Sequence, residues 1–268
     1  MYPYIVISDQ VKAPTYSLCF LVGYIFSILL CRRNNPKLKN DILYASIYAA
    51  FGIGIGAKLF YTLTALFRVF INFKDVSAFF SLDRMVIANF LFGGLVFYGG
   101  LFGAVFGIWI YCKQYKINFL GILYAVIPYL PLTHAWGRVG CFLAGCCYGK
   151  EYHGFLSVTY PYSELVPHLN EVPRFPVQLL ESLCNILIFI ILIIAQKKVK
   201  NVYLLLSIYL LLYSITRFFD EFLRGDVDRG VFGKMSTSQI ISIFVFAFSV
   251  FLIFKVRKQK QKQPDILK

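Results

Sequence analysis

The sixteen residues from His134 to Gly149 concentrate more chemistry than any other stretch of the chain. One His, one Arg and three Cys lie there among four glycines. If the segment is helical, His134 and Arg138 stand one turn apart on a single face. An imidazole, with an ordinary pKa of about 6.5, suits proton transfer near neutrality. A guanidinium fork suits the paired oxygens of a phosphate. The plainer alternative for His134 is a ring hydrogen-bonded at a helix end. Cys141, Cys146 and Cys147 admit three readings. They can form a disulfide, best drawn between Cys141 and Cys146 because a vicinal bridge strains the backbone. They can hold Zn²⁺ with His134, at spacings unlike the familiar fingers. They can also be small packing residues, which is the reading taken for Cys19, Cys31, Cys112 and Cys184.

Charges elsewhere sit among apolar residues, where each needs a reason. Lys58, Glu181, Arg217, Glu221 and Arg224 are of this kind. Arg217, Glu221 and Arg224 follow at i, i+4 and i+7 and are expected to share one helical face. Two readings stand side by side. One is a chain of ion pairs stitching helix ends; the other is a headgroup site in which Arg138, Arg217 and Arg224 outnumber the nearby carboxylates. Gly52, Gly54 and Gly56, and later Gly99, Gly100, Gly103 and Gly107, carry GxxxG spacings. No strand precedes them, which excludes a dinucleotide-binding loop. Close helix packing is their expected role, except that Gly99 and Gly100, after Tyr98, could admit a headgroup to the backbone.

These residues need elements to hold them, and the composition says which. Of 268 residues 59% are hydrophobic and only 15% charged, with a mean hydropathy of +0.68. A soluble domain is roughly 45–50% apolar and 25% charged, so lipid must be the solvent for much of this chain. Seven apolar runs are expected to span: Tyr16–Cys31, Ile42–Leu66, Val86–Tyr111, Phe119–His134, Gln178–Ala195, Val202–Phe219 and Ile240–Phe254. Pro128 and Pro131 interrupt the fourth, which with the seventh is short for a span. The fold class is thus all-α, a polytopic membrane bundle forming one domain over residues 1–268. A small outer cap covers about 135–176, with a short strand near Val158, Thr159 and Tyr160, and a basic tail covers about 255–268.

The net charge of +14 would suggest nucleic acid in a soluble protein. Here more than half of the 27 basic residues fall in three connections and the tail, at Arg32, Arg33, Lys37, Lys39, Lys113, Lys116, Lys197, Lys198, Lys200 and from Lys255 onward. The positive-inside rule places those segments in the cytoplasm and the N-terminus outside. The excess then reads as a topology signal and an attraction to anionic lipid, with no nucleic-acid partner. The first span lacks a basic flank before it and a cleavage pattern after it, which reads as a retained helix.

Gly137 to Gly149 resembles the hallmark Gly-Arg-x-Gly-Asn-Phe-x-Asn-x-Glu-x-x-Gly of the prolipoprotein diacylglyceryl transferase family, in its length, its glycines, Arg138 and Phe142. Tyr16 with Leu21-Val22-Gly23 is similar to the family's first span, and Gly56–Tyr61 to its Gly-Ala-Arg-Leu-x-Tyr segment. Tyr98-Gly99-Gly100-Leu101 stands where the family has His-Gly-Gly-Leu. Pro176-Val177-Gln178-Leu179-Leu180-Glu181 resembles Pro-Ser-Gln-Leu-Tyr-Glu. Arg217-Phe218, Glu221-Phe222 and Arg224, then Ser236-Thr237-Ser238-Gln239, match late family motifs. The departures are Tyr98 for His, Cys141 for Asn and Cys146 for Glu.

The resemblance implies a multi-pass enzyme of the bacterial cell membrane. It would move the diacylglyceryl group of phosphatidylglycerol to the thiol of a lipobox cysteine in a precursor protein and release glycerol phosphate. No cofactor is expected. His134, Arg138, Arg217 and Tyr98 are the expected catalytic residues. Arg138, Gly99, Gly100, Tyr16, Glu221 and Arg224 are expected to bind the phospholipid. Two alternatives remain open: a paralogue with another acceptor, and a non-catalytic lipid-binding or thiol-redox membrane protein.

Overall fold

The computed structural model describes residues 4–8, 11–72, 84–85, 87, 93–94, 96–160, 171–226, 231–232 and 235–262. The chain forms two compact units, Met1–Cys31 with Leu123–Lys268, and Arg32–Ile122. Among the described residues, six helical segments are long and apolar enough to cross a membrane: Thr15–Asn34, Pro36–Phe67, Phe119–Ala144, Val177–Lys198, Val202–Leu223 and Thr237–Lys258. They coincide with six of the seven expected spans. The remaining one, Val86–Tyr111, begins partly outside the described residues, and from Phe97 it is a helix, Phe97–Gln114.

The solvent argument is visible on the helix surfaces. Phe51, Phe244 and Phe254 are about 70% exposed, whereas Gln178, Ser207 and Ser249 are fully buried. A water-soluble fold would reverse that arrangement; a bundle in hydrocarbon requires it, because polar side chains then seek one another.

In the second unit, α2 (Lys39–Asn72) packs on α3 (Phe97–Gln114). The glycines set how close they come. A Cβ on Gly52 would stand 2.1 Å from the Gly103 carbonyl oxygen, and one on Gly56 2.3 Å from that of Gly99. Only glycine allows this contact, as the GxxxG spacing predicts. At the far end of the pair Tyr111 donates to Asp41 Oδ1 at 2.9 Å.

In the first unit, α1 (Thr15–Asn34) packs on the chain's fourth span, with Gly23 against Trp136. That span opens as α4 (Phe119–Val126), tightens to a 3₁₀ turn at Ile127–Tyr129 and resumes as α5 (Leu130–Ala144). Pro128 and Pro131 each sit in the first turn of their segment, where the missing N–H removes no helical bond. The expected span stops at His134, but α5 runs on to Ala144. Its glycines are packing positions: Gly140 lies on the Tyr16 backbone of α1, whose Cα would be 3.1 Å from an added Cβ. The helix ends at Gly145, which takes the left-handed conformation (φ 79°) and donates its N–H to the Cys141 and Phe142 carbonyls, a usual glycine stop.

Next come α6 (Val177–Lys198), α7 (Val202–Asp220) and α8 (Thr237–Lys262). Ile127, Ile188, Leu192 and Leu205 form a buried apolar cluster between the turn at Ile127 and helices α6 and α7. The sharp turn into α7 is capped by Asn201, whose side chain accepts from the Tyr203 and Leu204 N–H groups. α8 continues past the apolar run into residues expected as a basic tail.

Short pairings tie the helix ends together. β1 (Tyr4–Ser8) pairs with β2 (Val11–Pro14), β3 (Val158–Thr159) with β4 (Pro173–Arg174), and β5 (Val231–Phe232) with β6 (Met235–Ser236), all antiparallel. The expected strand at Val158 is thus present. Between α5 and β3, Gly149 bridges to Arg224 and Glu151 to Arg174. Gly149 belongs there for a steric reason: a Cβ would lie 2.2 Å from the Phe175 carbonyl oxygen. Gly149→Ala is expected to destabilise the fold by about 1–3 kcal/mol through overpacking. The check is a lower unfolding midpoint of the purified protein in detergent; an unchanged midpoint would show that this junction is slack.

Candidate active site

α5 ends, α6 begins, α7 ends and α8 begins at one end of the first unit, and the charged side chains meet there. Glu181, on the second turn of α6 and 2% exposed, is their centre. One of its carboxylate oxygens pairs with Arg138 Nη2 from α5, and the other stands 3.5 Å from Arg217 Nη1 of α7. Arg217 Nη2 also lies 2.8 Å from Glu221 Oε2 and donates to Ser238 Oγ at 2.9 Å. A carboxylate this buried persists only when cations share it.

Ser238 is placed by the motif around it. Ser236 Oγ accepts from the Gln239 N–H at 3.2 Å, and Gln239 Oε1 accepts from the Ser236 N–H at 3.0 Å. This reciprocal pair is a capping box at the start of α8. The Ser-Thr-Ser-Gln motif is therefore a helix start that presents Ser238 to Arg217.

The sequence-predicted residues separate into groups. Arg138, Arg217 and Glu221 are brought together. Two corrections follow. Arg217, Glu221 and Arg224 do not form one helical row, because α7 stops at Asp220 and Glu221–Leu223 is a 3₁₀ turn, leaving Arg224 extended (ψ 140°). Arg224 turns to Asp226, donating from Nε to Oδ1 at 2.8 Å. Nor do arginines outnumber carboxylates in the cluster, because Glu181 reaches in from α6 and is shared by Arg138 and Arg217. One donor is left over: Arg138 Nε is buried and finds no acceptor among the described residues.

His134 sits one turn before Arg138, its ring 5.6 Å from that of Tyr213. Tyr16, at the start of α1, is 43% exposed and lies in the electrostatic reach of Arg138 and the three Cys. Tyr98, Gly99 and Gly100 belong to the second unit. The Tyr98 side chain is exposed, with its ring 5.7 Å from Phe97. Gly99 and Gly100 are buried, and a Cβ on Gly99 would meet Gly56 of α2 at 2.4 Å, so helix packing occupies the face where a headgroup approach was expected.

The thiols of Cys141, Cys146 and Cys147 converge at the end of α5, all within 4.8 Å of one another. All are free, so of the three readings the Cys141–Cys146 bridge is not the one formed here. His134 does not join them: seven residues of helix place it roughly 10 Å from Cys141 along the axis. Arg138 Nη1 points at Cys141 Sγ from 3.9 Å. Hydrogen bonds from the neighbouring thiols, then the charges of Arg138 and Arg224, hold the Cys147 thiol below its ordinary pKa, while those thiol bonds push Cys146 up. Beside them Gln178 donates to the Cys146 carbonyl at 2.9 Å and pairs with the Tyr160 hydroxyl at 3.2 Å, which joins the cap to the site. Glu181, Gln178 and Ser238 stand in motifs that sequence reading singles out, but their role as holders of the arginines and the cap is tertiary.

A family model for prolipoprotein diacylglyceryl transferase matches residues 3–255. Among curated proteins the chain is 31% identical over 264 residues, 97% of each chain, to phosphatidylglycerol–prolipoprotein diacylglyceryl transferase 2 of Clostridium perfringens. It is 29% identical to the enzyme of that name, without the numeral, from Clostridium tetani, over 92% of this chain and 94% of the relative. With the one from Methylococcus capsulatus it shares 28% identity over 94% of both.

Proposed function

The chain belongs to the prolipoprotein diacylglyceryl transferase family, and from that premise we infer that it transfers a diacylglyceryl group from phosphatidylglycerol to the thiol of a prolipoprotein cysteine. It is a multi-pass membrane enzyme of lipoprotein biosynthesis. In the reaction an acceptor sulfur forms a bond to the terminal glyceryl carbon as the bond from that carbon to the phosphate oxygen breaks. The electron pair leaves with glycerol phosphate, and the thiol proton passes to a base. Two needs follow: a thiolate, since a thiol near pKa 8.5 is mostly protonated, and fixed positive charge on the departing phosphate in a place poor in water.

The observation that carries the site assignment is the buried Arg138–Glu181–Arg217 cluster, with one Arg138 donor left open. Arg138 and Arg217 hold the phosphate. Glu181 fixes both guanidinium planes, and Ser238 and Glu221 fix Arg217 further. His134, one turn from Arg138, takes the thiol proton. Tyr16, on α1 within the electrostatic reach of Arg138, contributes to lipid binding.

The outer cap, with the site beneath it, faces away from the cytoplasm. In support, Arg32 and Arg33 end α1 and Lys197 and Lys198 end α6, at the opposite ends of those helices from the site. A tag after Lys268 is expected to be accessible from the cytoplasm alone, and one near Glu164 from outside alone. Both positions lie outside the described residues. Labelling of both from the same side would overturn the span count and the outward site.

Activity itself is tested by asking whether this gene rescues a cell lacking its own transferase, read by lipid label on a reporter lipoprotein. Rescue is expected. Bound phospholipid with an unlabelled reporter would instead favour a lipid-binding paralogue.

A further inference from the structure

None of the roles assigned above falls on the thiol cluster at the end of α5. An enzyme thiol alkylated by a diacylglyceryl group would become a thioether, which is a dead end. Yet three sulfurs are gathered there by specific backbone turns. Cys141 stands in the last turn of the helix. Gly145 then takes φ 79°, and Cys147 itself takes φ 57°, a left-handed conformation unfavourable for a residue carrying a Cβ. Packing alone does not require a cysteine there. A disulfide would use two sulfurs and leave the third turned inward without a bond.

We propose that Cys141, Cys146 and Cys147 form a three-thiolate site for a thiophilic d¹⁰ cation, Zn²⁺ or Cu⁺. Thiolates about 2.3 Å from a shared ion sit about 4 Å from one another, so sulfurs already within 4.8 Å need only small inward shifts of rotamer. Soft sulfur ligands select such ions over Mg²⁺ or Ca²⁺. Binding converts three thiols to thiolates, with three protons released to solvent. A bound Zn²⁺ then leaves one net negative charge and Cu⁺ leaves two. The arginines offset that charge: Arg138 points at Cys141 Sγ, and the charge of Arg224 reaches Cys147. The Gln178 bond to the Cys146 carbonyl steadies the turn that presents the ligands, as an outer support does at metal sites. The inference stands independently of the transfer reading, because the site uses none of the groups assigned to the reaction except the charge of Arg138.

The full chain, purified in detergent, reduced and stripped with a chelator, is titrated with Zn²⁺ and separately with Cu⁺. Elemental analysis after gel filtration counts bound ions, and Cd²⁺ substitution reports thiolate ligation by its charge-transfer absorption. One equivalent of Zn²⁺ or Cu⁺ per chain is expected. Cys147→Ser and Cys146→Ser should each lower affinity at least about 100-fold, while Cys184→Ser, outside the cluster, leaves it unchanged. Elution as a sharp detergent-solubilised peak confirms that a variant is folded, and two independent ligand variants guard against one that is not. Failure of both ions to bind, or equal binding to the Cys141→Ser/Cys146→Ser/Cys147→Ser triple variant, overturns the proposal. So does a parent protein whose cluster is recovered as a disulfide that reductant does not open.

Discussion

Transfer by His134→Gln is expected to fall about 10²–10⁴-fold while phosphatidylglycerol still binds. Gln preserves size and one hydrogen bond but cannot accept the acceptor's proton, so the loss isolates base catalysis. The geometry favours this residue because His134 is one helical turn from Arg138 and backed by the Tyr213 ring. The base is thereby held next to the groups assigned to the phosphate. A further readout compares parent and variant to separate a base from a merely structural ring. Supplying the acceptor as thiolate at high pH should narrow the gap between the two. A variant near parental rate at neutral pH removes His134 as the base, and Glu221 then becomes the group to test.

Arg138→Lys should slow transfer at least about tenfold, or about 1.4 kcal/mol of barrier, and Arg138→Gln about 10²–10³-fold, the scale for losing a preorganised donor to a developing anion. Lys keeps the charge near Glu181 but has no planar fork and no counterpart of the open Nε donor. Gln loses the charge and leaves Glu181 with Arg217 alone, so its stability must be measured beside its rate. Arg217→Lys is expected to follow Arg138→Lys in direction, because Arg217 is also gripped by Glu221 and Ser238. Parental labelling by both Lys variants at equal protein level would reject the phosphate assignment.

Much of the frame was legible in the residues alone. Hydropathy marked the spans because crossing hydrocarbon demands about 20 apolar residues whatever they pack against. The GxxxG spacings marked the α2–α3 contact, because two backbones that touch exclude any Cβ. The run from Gly137 to Gly149, with the Pro-Val-Gln and Ser-Thr-Ser-Gln segments, carried the family resemblance that the comparisons bear out. Other points were misread for local reasons. The apolar run ends at His134, but the helix continues to Ala144, where Gly140 packs on the α1 backbone. Arg224 looks like the third member of a helical row, because nothing in the spacing reveals that the helix tightens at Glu221 and the chain then extends.

The sequence by itself determined the solvent, the spans and the supply of chemical groups, since these follow from composition and from periods of a few residues. Tertiary structure alone decided which groups meet. Glu181 lies 43 residues after Arg138 and 36 before Arg217 in the sequence, yet its two oxygens face both. That meeting depends on where α5, α6 and α7 cross, which small residues and buried polar contacts set one helix pair at a time. The three thiols converge for a similar reason on a shorter scale: two left-handed residues after α5 reverse the chain. Neither a crossing point nor a left-handed cysteine leaves a periodic trace, and on those two features the charged centre and the thiol cluster depend.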